Sequence, residues 1–123
     1  MSRFVTALLY EPAARADYFV LLAELEYFSD YAGITITAPA GFETNFVTGR
    51  KLLVVRRIVQ DKMNAAAVVH DQLYGSGAVP RDVADEVFHE AMLVLGVARW
   101  RAWLAWAAVR FCGEQFYRTA PKD

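Results

Sequence analysis

One cysteine, two histidines and four prolines are all that this 123-residue chain contains of those types. A lone thiol, Cys112, excludes an internal disulfide, and its apolar helical surroundings want only a small hydrophobe there. The chain has no Cys-x-x-Cys pair, no His-Glu-x-x-His, no Gly-x-Ser-x-Gly elbow and no glycine-rich phosphate loop. A phosphohydrolase built on a paired His-Asp motif needs a further histidine upstream, and none precedes His70. Neither sign of charge prevails: 13 basic and 14 acidic residues leave a net charge of −1, spread along the chain. That balance argues against a nucleic-acid partner and against a polybasic membrane anchor. The most apolar stretch, residues 97–111, is broken by Arg99, Arg101 and Arg110 and falls short of the ~20 residues a bilayer span needs, so no membrane span is expected. Residues 1–6 lack the apolar stretch of a signal peptide, which implies synthesis into the cytoplasm.

What is there is apolar. Hydrophobic residues make up 56% and aromatics 14%, which calls for collapse around a core, and the length suits a single domain over residues 1–123. Residues 4–10 and 18–28 are β-prone runs. In the second, Leu21, Ala23, Leu25 and Tyr27 share one parity, opposite Leu22, Glu24, Glu26 and Phe28. Leu21, Leu22 and Leu25 also suit a helix, and the turn signal at residues 29–33 decides for a strand. Residues 34–37 alternate with period two until Pro39, and residues 39–45 read as a loop. Residues 52–58 are β-branched and stay undecided between strand and helix.

Helical signals dominate from residue 62. Alanines carry a helix through residue 74, and Gly75-Ser76-Gly77 ends it. Pro80 and Asp82 suit the first turn of a second helix, as does Asp85, and Val83, Val87, Ala91, Val94 and Leu95 recur at helical spacing as far as Gly96. A third helix covers residues 97–112, with Trp100, Leu104, Ala107, Ala108 and Phe111 on one side. The expected fold class is α+β: an N-terminal antiparallel β-meander, mostly strand over residues 1–45, packed against about three C-terminal helices over residues 62–113, then a short tail.

His70 and Asp71 close the apolar run Ala65-Ala66-Ala67-Val68-Val69, where polar groups must find partners. His70 and Tyr74 share a helical face, with Asp71 about 100° round. Asp85 and His89 are four apart on the next helix. An antiparallel pair of these helices brings His70, Asp71, Asp85 and His89 together, a set that a divalent metal accepts. Structural pairing is the commoner fate of such groups, so no metal and no cofactor is expected. On that reading His70 and Asp71 are buried and bonded to residues 42–45 or to Asp85. Trp100, Trp103 and Trp106, three apart, drift around their helix, so at least one should be exposed. With Phe116 and Tyr117, and with Arg99, Arg101 and Arg110 as a polar rim, they form a candidate contact surface for another chain.

Three segments in order, Pro39-Ala40-Gly41-Phe42-Glu43-Thr44-Asn45, Ala66-Ala67-Val68-Val69-His70-Asp71-Gln72-Leu73-Tyr74 and Ala84-Asp85-Glu86-Val87-Phe88-His89-Glu90-Ala91-Met92, resemble the phage and prophage family known as domain of unknown function 1353 (DUF1353). Leu95-Gly96-Val97 and Ala107-Ala108-Val109-Arg110 fit the same order, so the resemblance runs from about residue 27 onward. The family pattern has aspartate where Asn45 stands, and a Ser-x-Pro-Arg turn where this chain has Thr48-Gly49-Arg50-Lys51. If that aspartate serves metal or general-base chemistry, Asn45 weakens the site, because an amide cannot ionise. His70, Asp71, Tyr74 and Asp85 do match.

The resemblance implies phage or prophage origin and an α+β domain, with members encoded among virion structural, tail or lysis genes. It supplies no reaction. The leading expectation is a small virion-associated or assembly protein, made in the host cytoplasm and acting through contacts with phage structural proteins or with itself. The alternatives are a small metal-assisted hydrolase of lysis or cell-wall penetration, using His70, Asp71, Tyr74, Asp85 or His89, and a factor that blocks a host defence.

Overall fold

The computed structural model describes residues 1–16, 18–44 and 63–112, without the side chain of Cys112. The described elements are six strands, β1 (Arg3–Phe4), β2 (Tyr10–Pro12), β3 (Phe19–Leu21), β4 (Leu25–Ser29), β5 (Ile34–Ala38) and β6 (Glu43–Thr44), and three helices, α1 (Asn64–Ser76), α2 (Arg81–Val94) and α3 (Arg99–Cys112). This is the α+β arrangement expected. The strands form two antiparallel three-stranded sheets, ordered β1-β4-β5 and β2-β3-β6.

The two sheets are the halves of one bent meander. Arg3 opposes Phe28 and Pro12 opposes Phe19, an advance of nine residues on one side matched by nine on the other. Ala38 opposes Leu25 and Glu43 opposes Val20, again without a slip. Residues 3–12, 19–29 and 34–44 are therefore three passes of chain that keep one register, each interrupted where the meander bends. The bend accounts for where strand character stops. Leu22 and Glu24 are exposed, while Leu21, Leu25 and Tyr27 stay on the dry parity. At the bend the Thr6 hydroxyl donates to the Glu24 carbonyl and accepts from the Glu26 N–H, replacing ladder bonds with side-chain ones. Gly41 turns the third strand with φ +89, a conformation that costs other residues a steric penalty, and its N–H then bonds the Leu21 carbonyl. Of the segment read as a loop over residues 39–45, residues 39–42 form a turn closed by the Phe42 N–H on the Pro39 carbonyl, and only Glu43–Thr44 pair as strand. Asn45 and residues 52–58 lie outside the described residues.

The helices begin and end close to where the sequence signals place them. Gly77 stops α1 in the left-handed region at φ 65, with its N–H on the Leu73 carbonyl. Pro80 precedes α2 and Asp82 sits in its first turn, near the positive end of the helix dipole. From Asn64 to His70 every residue of α1 is buried, as befits a helix that is apolar all round. It lies between β5 and α2, and α3 packs on the far side of α2. Leu21, Leu25, Tyr27, Val68, Leu73, Val87, Phe88 and Met92 fill the core between them. Among the described residues, no helix is long and apolar enough to cross a membrane.

The third helix is turned the other way from the face read in the sequence. Ala102, Ala105 and Val109 enter the core, while Trp100, Trp103 and Phe111 look outward. Ala102, Ala105 and Val109 join a buried core that includes the small Ala84, Val87 and Ala91 of α2, and close packing of two helices favours such small side chains over an indole.

Candidate functional site

The polar residues of the helix pair meet at Asp85, which is fully buried. His70 and Tyr74, one turn apart on α1, face Asp85 in the N-terminal half of α2. Asp85 Oδ1 lies 2.8 Å from His70 Nε2 and accepts from the Tyr74 hydroxyl at 2.5 Å; Oδ2 accepts from Arg110 Nη1 at 2.8 Å. An ionised carboxylate only accepts, so Nε2 carries the hydrogen in this pair. Burial alone would raise the Asp85 pKa, but the hydrogen bonds from His70 and Tyr74, the charge of His70 and the bond from Arg110 outweigh it and hold it below the ordinary value. Tyr74 is shifted up, first by burial and then by its bond to Asp85, so its hydroxyl keeps its proton. The His70 ring packs between Tyr74 and Phe88, with centroids 4.1 and 4.7 Å away.

Asp71 points elsewhere. Its Oδ2 accepts from the hydroxyl of Thr44 on β6 at 2.5 Å, which joins α1 to the far half of the meander. The residue keeps a little surface, yet desolvation of its carboxyl group dominates and pushes the pKa up to about 6, against the smaller opposing effects of Thr44 and the neighbouring imidazole. The structure thus makes both bonds expected of the His70-Asp71 pair, one to residues 42–45 and one to Asp85. His89 is not part of the cluster; it lies 6.4 Å from the ring of Trp106. Among the described residues, no three His, Cys, Asp or Glu side chains are placed to hold a metal ion.

Arg110 was expected on an exposed rim and instead turns inward, because Asp85 offers it a buried counter-charge. Arg81 reaches from the start of α2 to the carbonyls of Val109 (2.9 Å) and Arg110 (2.5 Å), putting a cation on the negative end of α3. Glu90 is a second organising carboxylate. It accepts from the Tyr27 hydroxyl (2.7 Å), the Ser29 hydroxyl (2.8 Å) and the Tyr31 N–H (3.0 Å), fixing the β4–β5 hairpin to α2. One signal pointed to it: a tyrosine on the dry parity of a strand, Tyr27, needs a buried acceptor for its hydroxyl.

Comparison with known families settles the kinship. Residues 19–109 match the family described as "Protein of unknown function (DUF1353)". The chain belongs to the DUF1353 family. The match covers about three quarters of the chain and takes in β3 through nearly all of α3, including Thr44, His70, Asp71, Tyr74 and Asp85. Neither the curated proteins nor the solved structures gave a match.

In this DUF1353 chain the cluster centres on Asp85. Both Asp85 oxygens, the His70 Nε2–H and the Tyr74 hydroxyl bond one another, which ties α1, α2 and α3 together at one buried carboxylate. The outer side of α3 has the opposite character. Trp100 is 60% exposed, Trp103 55% and Phe111 83%, with Arg99 exposed and the Arg101 guanidinium 5.1 Å from the Trp100 ring. Trp106 is half-buried, 6.4 Å from Trp103, and Phe116 and Tyr117 lie outside the described residues.

Proposed function

We propose that this DUF1353 protein is a small phage-encoded virion-associated or assembly protein that works by contact with other protein chains. The observation that carries this reading is the outer face of α3. Trp100, Trp103 and Phe111 are aromatic anchors left uncovered on a 14-residue helix whose inner face is already used by Ala102, Ala105 and Val109. A helix with two apolar faces has one more than its own domain employs, and tryptophan and arginine are the side chains that most often anchor interfaces. Arg99 and Arg101 flank this stripe. The genomic company implied by the family resemblance, among virion, tail and lysis genes, supports the same reading. The burial of Asp85 and His70, 0% and 7% exposed, favours a structural role for that cluster over a hydrolytic one.

The test is mass spectrometry of purified particles of the encoding phage, with wild-type protein and a Trp103→Ala variant. Presence of the protein in particles, with the variant folded but depleted, supports the proposal. A variant that folds, has the wild-type oligomeric state and enters particles at normal levels defeats it. Absence of the wild-type protein from particles, with capture of a host protein instead, favours a factor acting on host defence.

A further inference from the structure

The outer stripe of α3 has the same spacing in either direction. Trp100, Leu104, Ala107 and Phe111 follow one another at intervals of four, three and four residues, the two rings exposed and the two residues between them partly so. At ~100° per residue they fall within about 60° of one another, opposite the buried Ala102, Ala105 and Val109. A 4-3-4 spacing survives reversal, so a second α3 laid antiparallel on the first sets Trp100 against Phe111 and Leu104 against Ala107 without a slip. The small Ala107 then lets the helices approach at the middle of the seam, and the rings close its ends. Trp103, to one side of the stripe, comes within about 7.5 Å along the axis of its own copy. The charges fit this direction too. It separates the two copies of Arg101 by about 14 Å along the axis and those of Arg99 by about 20 Å, beyond the ~10 Å over which salt screens them, where a parallel pair would set like against like. Arg99 opens α3, at the positive end of its own helix. Reversal brings it beside the negative end of the other copy, where Arg110 is already matched by Asp85.

We propose that a second copy of this chain covers the face, in an antiparallel dimer of α3 on α3 with its two-fold axis between residues 105 and 106. The inference rests on the reading of α3 as a contact surface and names the partner. A two-fold seam demands a surface that complements itself, and the reversible stripe is one. Area is sufficient as well. Full burial of an aromatic ring covers about 150–250 Å2, so the exposed parts of Trp100, Trp103 and Phe111 come to about 400 Å2 in each copy and roughly 800 Å2 in a pair. Leu104, Ala107 and the apolar stems of Arg99 and Arg101 lie around them and bring the seam to the ~1,200 Å2 at which specific interfaces begin.

The experiment is sedimentation equilibrium of the full-length protein from micromolar to near-millimolar concentration, with circular dichroism to confirm that each variant is folded. Wild type should pass from monomer to dimer and go no further, since a two-fold seam is closed. Trp100→Ala and Phe111→Ala should each weaken the dimer about a hundredfold, because every substitution removes its contact twice. Ala107→Glu, at the centre of the seam, should leave a folded monomer. Direction is read from the double variant. Residues 100 and 111 stand about 16 Å apart within one helix, so their losses add if each acts alone and fall short of adding if they meet across the seam. A wild type that stays monomeric throughout overturns the inference, as does a dimer indifferent to these substitutions or one in which the two losses simply add. The broader reading fails separately: a monomer whose Trp103→Ala variant is depleted from particles keeps that reading and loses the dimer, and a dimer absent from particles keeps the dimer alone.

Discussion

Asp71 and Asp85 flank the same imidazole and are the same side chain, yet they answer burial in opposite ways. Desolvation pushes both upward, and the difference lies in what surrounds them. Asp85 receives hydrogen bonds from His70, Tyr74 and Arg110, the last cationic, and stays ionised. Asp71 has the Thr44 hydroxyl and a less direct influence from His70, and titrates at about 6. Burial is thus a poor guide to the state of a carboxylate, and the number and charge of its donors decide. One aspartate is a fixed anion binding three helices together, and the other is a group that changes state near neutral pH.

The comparison breaks most visibly at Asp85. Asp85→Ala leaves a guanidinium, an imidazole and a hydroxyl without their acceptor, and breaking a buried pair in this way costs about 3–5 kcal/mol, read by chemical denaturation. A loss under ~1 kcal/mol would remove the central role given to this residue.

The next effect is a pH dependence. With its pKa raised from 3.8 to about 6, Asp71 keeps in the folded state a proton that the unfolded chain has already released. Its contribution favours the folded state below pH 4 and is lost as pH rises through 6, on the order of 2–3 kcal/mol. Asp85, lowered, acts in reverse: its support is present above the ordinary carboxylate range and is lost as pH falls through its folded pKa. In an Asp71→Asn variant the decline between pH 4 and 7 should vanish, so that the variant gains on wild type as pH rises. Parallel stability curves for the two proteins would contradict the assignment.

Glu90 extends the comparison to a carboxylate with three neutral donors. Glu90→Gln should cost about 1–2 kcal/mol and speed hydrogen exchange in the β4–β5 hairpin before that of the helices. Smallest in stability is Trp103→Ala, within about 0.5 kcal/mol because the side chain is exposed, while its effect on partner contact should be the largest of the four.

Local pattern made the helices, the three strands and the His70, Tyr74 and Asp85 convergence legible, because each is written within a few residues. The fold in the meander was not. Alternation tells which face a residue takes but not that a ladder bends over, and the exposure of Leu22 shows its place only once the bend is known. Thr44, Arg81 and the inward turn of Arg110 were hidden for another reason. Their partners lie 25 to 29 residues away, and no spacing rule reaches that far. The outward aromatic face of α3 was foreseen in kind, while its orientation depended on the small residues of the helix it meets.

The bond from Arg110 to Asp85 also sets an order of events during synthesis. The meander and the first two helices emerge from the ribosome before Arg110 has been made, with Asp85 still short of its guanidinium partner. Until then, water beside Asp85 is a better host for that carboxylate than a closed interior. The last described turn of the chain is thus the latch on its middle, and it is the last part of the cluster to be made.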